Sequence, residues 1–354
     1  MLLGHVVMLL PHTASVDPMR TVQSKLAVRP EFGPVNTRDT SESDCALGRF
    51  GSRGEKGAMR EDQPDSTLPR RQLGRALREA REGAGFTLEQ AAQEMEIGKA
   101  SVIRVEKGHN DKVKQRDVEG YGRLYGLDEQ RIEDLKSLAQ ETATKSWWQG
   151  FRHLMRSGYS TYLGLESSAS QLTFYQPMIV PGLFQLIDYA RAIERPFLPD
   201  DTPVDLERRV EVRLRRATIL TRQHNPIAAE FILHECVLHT LIGSRAVMAA
   251  QLRHIADMST RPNITVRILP FCAGIPGSMA PVLPYAILDF PADSRSFGTE
   301  PPIVYTEHTL GSMFFEDEAD VKRYREIHDD LWRGTLDEQA SRDLLRQVAR
   351  RYDQ

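Results

Sequence analysis

The stretch that most limits what this chain can become spans residues 73–108, LGRALREAREGAGFTLEQAAQEMEIGKASVIRVEKG: one helical block, then two short helical blocks separated by a tight polar turn. Thr87-Leu88-Glu89-Gln90 is a capping box, in which the Thr87 hydroxyl accepts from the Gln90 amide while the Gln90 side chain reaches back. A helix therefore starts at Leu88, and Ala91, Ala92 and Met95 give it an apolar stripe with small residues where two helices must come close. A turn over residues 96–98 follows. The next helix, residues 99–107, places Val102 and Val105 inward and Lys99, Ala100, Ser101, Ile103 and Arg104 on or beside the outward side.

That is the arrangement of a recognition helix offered to a DNA major groove. Lys99, Ala100 and Arg104 are expected to face bases, Arg104 with the fork that suits guanine, and Ser101 and Ile103 to lie alongside. Thr87, Arg70, Arg71, Lys107 and Lys112 are the candidates for phosphate. Glu106 reads as a structural acid, paired with Arg75 or Arg78 of the preceding helix. Residues 70–116 hold eleven Lys or Arg against seven Asp or Glu, whereas the whole chain has a formal net charge of -3, so positive charge gathers where DNA would lie. The bland alternative is a helical hairpin that only packs.

The same window resembles the Xre, or lambda-repressor-like, helix-turn-helix family. Val102-Ile103-Arg104-Val105-Glu106-Lys107-Gly108 matches that family's ending of an apolar-x-Arg-apolar-Glu-basic-Gly run. Three positions depart from it: Glu96 stands where the turn usually has Gly, Gly98 where the recognition helix usually has a Ser or Thr cap, and Leu88 where a Gln often starts the second helix. A Gly cap is nearly as good as Ser. Glu96 is costlier, since a side chain disfavours the positive φ the turn demands. The resemblance implies a DNA-binding regulator.

At 354 residues the chain suffices for two domains, and its 40% hydrophobic and 27% charged residues are those of an ordinary globular protein. It has no run of eighteen apolar residues. Three widely spaced cysteines, Cys45, Cys236 and Cys272, argue against a disulfide framework and for a reducing cytoplasm. Residues 1–68 open with MLLGHVVMLL and continue without helical or strand periodicity; they are expected to be a disordered leader, with a true start nearer Met59.

Residues 69–145 are expected to be the DNA-binding domain. Its first helix spans residues 72–82, with Leu73 and Leu77 inward, Arg75, Arg78 and Arg81 solvated, and Gly83 and Gly85 ending it. A fourth helix carries Val118, Tyr121 and Tyr125 and stops at Gly126, and Asp128 caps a fifth with Ile132, Leu135 and Leu138. The expected fold class is mainly α, a lambda-repressor-like five-helix bundle, followed by an α+β domain with a small sheet over residues 146–354. In the latter, a helical stretch from Tyr159 runs through Leu165, Ala169 and Leu172; a charged helix covers residues 204–222; helices cover 235–242 and 246–257; β-prone runs lie at 228–233, 264–269, 285–290 and 303–306; and helices at 317–332 and 341–352 close the chain.

This second region, residues 146–351, is similar to the C-terminal domain of unknown function that follows Xre-type heads in actinobacterial antitoxin-like regulators, through PGLFQLIDYARAI, NITVRILPFCAG and IVYTEHTLGSMFFEDE. Leu186 and Ile187 stand where that family often has polar residues. The resemblance implies a small protein partner.

His234, Glu235, Cys236 and His239 are metal-ligand types, but their spacing matches no zinc pattern and no second cluster completes a site; Cys272 has no paired base. No phosphate-loop or nucleophile motif occurs. Catalytic, cofactor and metal residues are therefore expected to be none. Trp147, Trp148, Tyr159, Tyr162, Phe174 and Tyr175 are core or the lining of a small-molecule pocket. The expectation is a cytoplasmic, nucleoid-associated homodimer that binds double-stranded operator DNA through its head and answers through its C-terminal domain to a small protein partner or ligand. The alternative is an antitoxin-like protein that mainly sequesters a partner; an enzyme is the weakest reading.

Overall fold

The computed structural model describes residues 66–354 apart from 111, 144–145, 157, 198–200, 275, 278–281, 293–298 and 309–310. The expected leader and the start near Met59 lie outside the described residues except at the leader's end, where the chain is already ordered. Helix α1 spans Leu68–Gly83, four residues earlier than the expected Gln72. Pro69 is the reason: in the first turn of a helix its fixed φ is favourable and its missing N–H costs nothing.

Four more helices complete the head: α2 (Leu88–Glu94), α3 (Lys99–Glu106), α4 (Gln115–Leu124) and α5 (Glu129–Thr142). Both halves of the Thr87 capping box form, at 3.2 Å and 2.8 Å, and the Asp128 carboxylate accepts from the Arg131 amide at 2.7 Å. The α4 end is a Schellman motif, with Gly126 at φ 71° and the Leu127 amide bonded to the Gly122 carbonyl at 2.9 Å. Leu73, Leu77, Ala91, Val102, Val105, Val118, Tyr121, Leu135 and Leu138 share one apolar core, the inward set expected from their spacing.

A 3-10 turn (Trp147–Leu154) and α6 (Tyr159–Ser168) lead into the second region. Its strands are β1 (Gln171–Gln176), β2 (Ala228–His234), β3 (Ile264–Leu269), β4 (Tyr285–Asp289), β5 (Ile303–His308) and β6 (Gly311–Phe315). Among the described residues they form one six-stranded mixed sheet, order β3-β2-β1-β4-β5-β6. β1, β2 and β3 run parallel; β4, β5 and β6 are joined antiparallel. The intervening helices are α7 (Ile187–Phe197), α8 (Pro203–Ala217), the single turn α9 (Cys236–His239) and α10 (Arg245–Met258); α11 (Glu318–Arg333) and α12 (Glu338–Tyr352) end the chain. One face of the sheet packs Phe174, Phe231, Leu233, Val266 and Leu288 against α6, α10 and α12. The other puts Tyr175, Ile232, Tyr285 and Val304 under Val321 and Leu331 of α11.

The helical head and the α+β C-terminal region agree with expectation, and four details of the second region do not. Leu172 is on β1, not in a helix. The strand QLTFYQ is central and buried on both faces, so it lacks the alternation that marks a half-buried strand. β6 was missing from the expectation because GSMFF carries no such pattern either. Residues 235–242 supply only the turn α9, and α12 begins three residues before Ser341 because Asp337 caps it, accepting from the Ala340 amide at 2.7 Å. The six aromatics do not line a common pocket: Tyr162 and Phe174 are core on one face, Tyr175 on the other, and Trp148 packs with Leu163 and Val212.

The head is fastened to the sheet region by α1. The Arg71 guanidinium meets Glu316, just after β6, at 2.7 Å. Arg75, one turn on, meets Glu300 at 3.3 Å and donates to the Thr299 carbonyl at 3.0 Å. Burial pushes the Glu300 carboxyl up from the usual carboxylate range, against the pull of Arg75 and Arg71. Glu300 and Glu316 both lie at the amino end of the parallel strands, because Ile303 of β5 pairs with Leu288 of β4 and Leu288 pairs with Leu172 near the start of β1.

Candidate nucleic-acid interface

Helix α3 is held by its inner face and presents the other. Val102 and Val105 are buried while Lys99, Ala100 and Arg104 are exposed and Ser101 and Ile103 half-buried, the division expected from spacing. The grip on α1 is close. A Cβ on Gly74 would lie 2.5 Å from the carbonyl oxygens of Val105 and Glu106, so only glycine lets the two backbones approach this far. Gly108, at φ 66°, is constrained twice, since a side chain there would also meet the Arg70 and Arg71 backbone at 2.9 Å.

The second fastening is an ion pair that differs from expectation. Glu106 pairs with Arg81, not with Arg75 or Arg78: Arg81 Nε and Nη2 donate to the two carboxylate oxygens at 2.6 Å and 3.1 Å. Arg81 Nη1 donates to the Phe86 carbonyl at 2.8 Å. Both side chains are 8% exposed, so Arg81 is not the solvated residue of the helical-wheel reading. The Glu106 carboxylate bonded to it raises the guanidinium's pKa further. Arg78 instead meets Glu82 on the surface at 2.9 Å.

The turn between α2 and α3 adopts the strained geometry foreseen for it. Glu96 has φ 54°, and the Ile97 amide closes back on the Ala92 carbonyl at 2.9 Å. Gly98 caps α3 in extended backbone without a side-chain bond. Replacing Glu96 by glycine is therefore expected to stabilise the head by about 0.5–1 kcal/mol, as hydrogen-exchange protection of α2 and α3 amides in the two proteins would report.

On the outward side, Arg104 Nη2 donates to the Ser101 hydroxyl at 3.1 Å, which holds the guanidinium over the first turns of the helix. Lys99 pairs with Glu89 of α2, and this bond keeps the Glu89 carboxyl below its usual range. Thr87, Lys107 and Lys112 are exposed. Arg70 and Arg71 are not offered to a phosphate: Arg70 is buried and donates to the Thr142 carbonyl at 3.3 Å, and Arg71 is spent on Glu316. Arg70 stands on the face of α1 that the bundle covers and Arg71 on the side turned to the sheet region, a placement the adjacent Pro69 disguised by looking like a chain end. Lys114 and Arg116 are exposed beside Lys112 and extend the basic surface past α3; the Lys-Val-Lys-Gln-Arg run was the signal for them. Gly74 was signalled too, as a lone glycine inside a helical pattern.

In the second region, His234 Nδ1 accepts from the Cys236 amide at 3.1 Å, Glu235 accepts from the Phe271 amide at 2.8 Å, and His239 stacks on Phe271. No cluster of three metal-ligand side chains occurs among the described residues. No helix there is long and apolar enough to cross a membrane.

Comparison with protein families gives two matches. Residues 72–135 match a helix-turn-helix domain, and residues 159–347, more than half of the chain, match a domain of unknown function, DUF5753. Searches of curated proteins and of solved structures returned no match.

Proposed function

Since the chain belongs to the DUF5753 family and carries a helix-turn-helix domain ahead of that domain, we propose that it is a sequence-specific DNA-binding regulator of transcription, of the Xre type, working in the cytoplasm. The observation that carries this reading is Arg104, exposed and oriented by Ser101 on a helix whose opposite face is locked to α1 by Gly74 and by the Arg81–Glu106 pair. A rigidly seated helix with a planar fork outward is what reading a guanine edge requires. Lys107, Lys112, Lys114 and Arg116 continue the basic surface and suit the flanking phosphates.

One such helix reads only a few base pairs, so the regulator acts as a homodimer on half-sites about 34 Å apart. Its C-terminal domain takes a small protein partner or ligand that adjusts the head, and the reading involves no catalytic step. Arg104→Ala is expected to cost about 1–3 kcal/mol of operator affinity and to relax preference at one base pair, while Lys112→Ala lowers the salt dependence by roughly one unit of slope at unchanged preference. Fluorescence anisotropy with labelled operator over a salt series measures both, and undiminished binding by the Arg104 variant would remove that residue from the interface.

A second reading, an antitoxin-like protein that mainly sequesters a small partner, is favoured by one surface. Met178, Ile179, Leu241, Phe271 and Leu283 are exposed, and the strand directions gather them at the carboxyl ends of β1, β2 and β3 and the start of β4. This is the end of the sheet away from the α1 contacts with Glu300 and Glu316. Copurification from the native host with and without nuclease distinguishes the readings, since a partner retained in place of DNA favours the second.

A further inference from the structure

The head is bounded in sequence by residues 66–68 and 146–148, and both of these ends come to rest on helix α6. At the first, the Ser66 amide donates to Thr161 Oγ1 at 3.3 Å, and Leu68, which opens α1, is 7% exposed in the core that holds Tyr162 and Leu165 of α6 with Phe174 and Leu288 of the sheet. At the second, Trp148 packs with Leu163 of α6 and Val212 of α8. The two ends meet at Gly164, where a Cβ would lie 3.4 Å from Trp148 Cζ2 and 3.7 Å from both the Ser66 carbonyl oxygen and Thr67 Cγ2. From Leu73 onward α1 belongs to a different core, in which Leu73 and Leu77 lie with Val102 and Val105 of α3. One helix therefore has its first turn seated in the sheet region and its middle in the head, and Leu68 and Gly74 stand only about 9 Å apart along its axis.

We propose that α6 is the element through which the C-terminal domain sets the recognition helix, with α1 as the rod between them and Leu68 as the rod's seat. Helix α6 is bound firmly to its own domain. The Tyr162 hydroxyl donates to Glu166 at 2.6 Å, Arg216 of α8 donates to both Glu166 oxygens at 2.8 Å, and Tyr162 stacks on Tyr305 of β5 with ring centroids 4.0 Å apart. A flexible linker would leave the head free to turn, whereas close-packed contacts pass a displacement on. A shift of α6 moves the seat of Leu68, and α1 hands the shift to α3 at Gly74, where backbone meets backbone and cannot absorb it. Leu68 is thus a positioning residue that acts on DNA only through α1 and α3. Coupling of this kind is reciprocal, so whatever steadies α3 steadies α6 as well. Control of DNA binding rests on the proposed regulator function; the coupling of α6 to α3 does not.

Hydrogen exchange of the full-length chain under native conditions tests the coupling without DNA. Leu68→Ala is expected to speed exchange of the α3 amides at least about fivefold, while Leu331→Ala, an equal truncation on the opposite face of the sheet, leaves them within about twofold of native. Leu68→Met, which refills the seat, is expected to restore native exchange, and Leu68→Val gives a milder change in the same direction should the alanine variant not fold. Equal α3 exchange in the Leu68 and Leu331 variants overturns the coupling. With a duplex selected from a random pool as operator, saturation of the native chain is expected to slow exchange of the α6 amides at least about fivefold, although α6 lies outside the proposed DNA surface; unaltered α6 exchange overturns the coupling too. Leu68→Ala is then expected to weaken operator binding at least about fivefold at unchanged salt slope, since no phosphate contact is lost, and undiminished affinity overturns the positioning role. Failure of the native chain to bind any duplex counts against the regulator reading instead, and the comparison of the Leu68 and Leu331 variants still decides the coupling.

Discussion

Arg81→Ala is expected to lower the stability of the helix-turn-helix head by roughly 3–5 kcal/mol, more than any single substitution on its outward face. The change leaves the Glu106 carboxylate, 8% exposed, without its counterion, and it strips the Phe86 carbonyl of its donor where the chain leaves α1 for α2. A buried charge stranded this way costs far more than the intact pair contributes, because desolvation is no longer offset. Arg78→Ala, three residues away, removes only the surface pair with Glu82 and is expected to change stability by less than about 1 kcal/mol. Hydrogen exchange of the α3 amides in the full chain reads both. Equal effects from the two variants would show that Arg81 does not hold the recognition helix.

Gly74→Ala is expected to cost about 3 kcal/mol, toward the upper end for overpacking, although alanine has the higher helix propensity. The added methyl would stand 2.5 Å from two backbone oxygens of α3, and backbone cannot swing aside as a side chain can. The helices must separate, which loosens Val102 and Val105 in the shared core and tilts Arg104 away from its seat. Gly83→Ala is the matched control, since nothing lies within 4 Å of its added methyl. It is expected to be neutral or slightly stabilising. Loss of α3 protection and of operator binding in the first variant alone is the expected pattern; a Gly74→Ala protein as stable as the native chain would show that the close approach is not required.

How much of this was readable in the sequence differs between the two regions. In the head, local chemistry dictates local structure: Thr87 and Gln90 write the capping box, Asp128 the α5 start and Gly126 the α4 end, and Val102 and Val105 separate inside from outside by helical period alone. What the head concealed depends on the third dimension. Arg70 and Arg71 read as phosphate contacts ahead of the helix and Arg81 as a solvated arginine on it, yet each finds an acceptor from a distant part of the chain: Thr142, Glu316 and Glu106. In the sheet region, β1 escaped because a central strand buried on both faces has no alternation to betray it, whereas β3, with Thr265 and Arg267 half-buried between covered residues, was plain.

The proposed regulator function requires that α3 reads DNA. Selection of bound duplexes from a random pool by the full-length native chain, run beside Arg104→Ala, tests it most directly. The expected result is enrichment of one motif with a guanine whose preference is lost in the variant, the rest of the motif persisting. Failure of the native chain to enrich any motif, or an identical motif from both proteins, would contradict it.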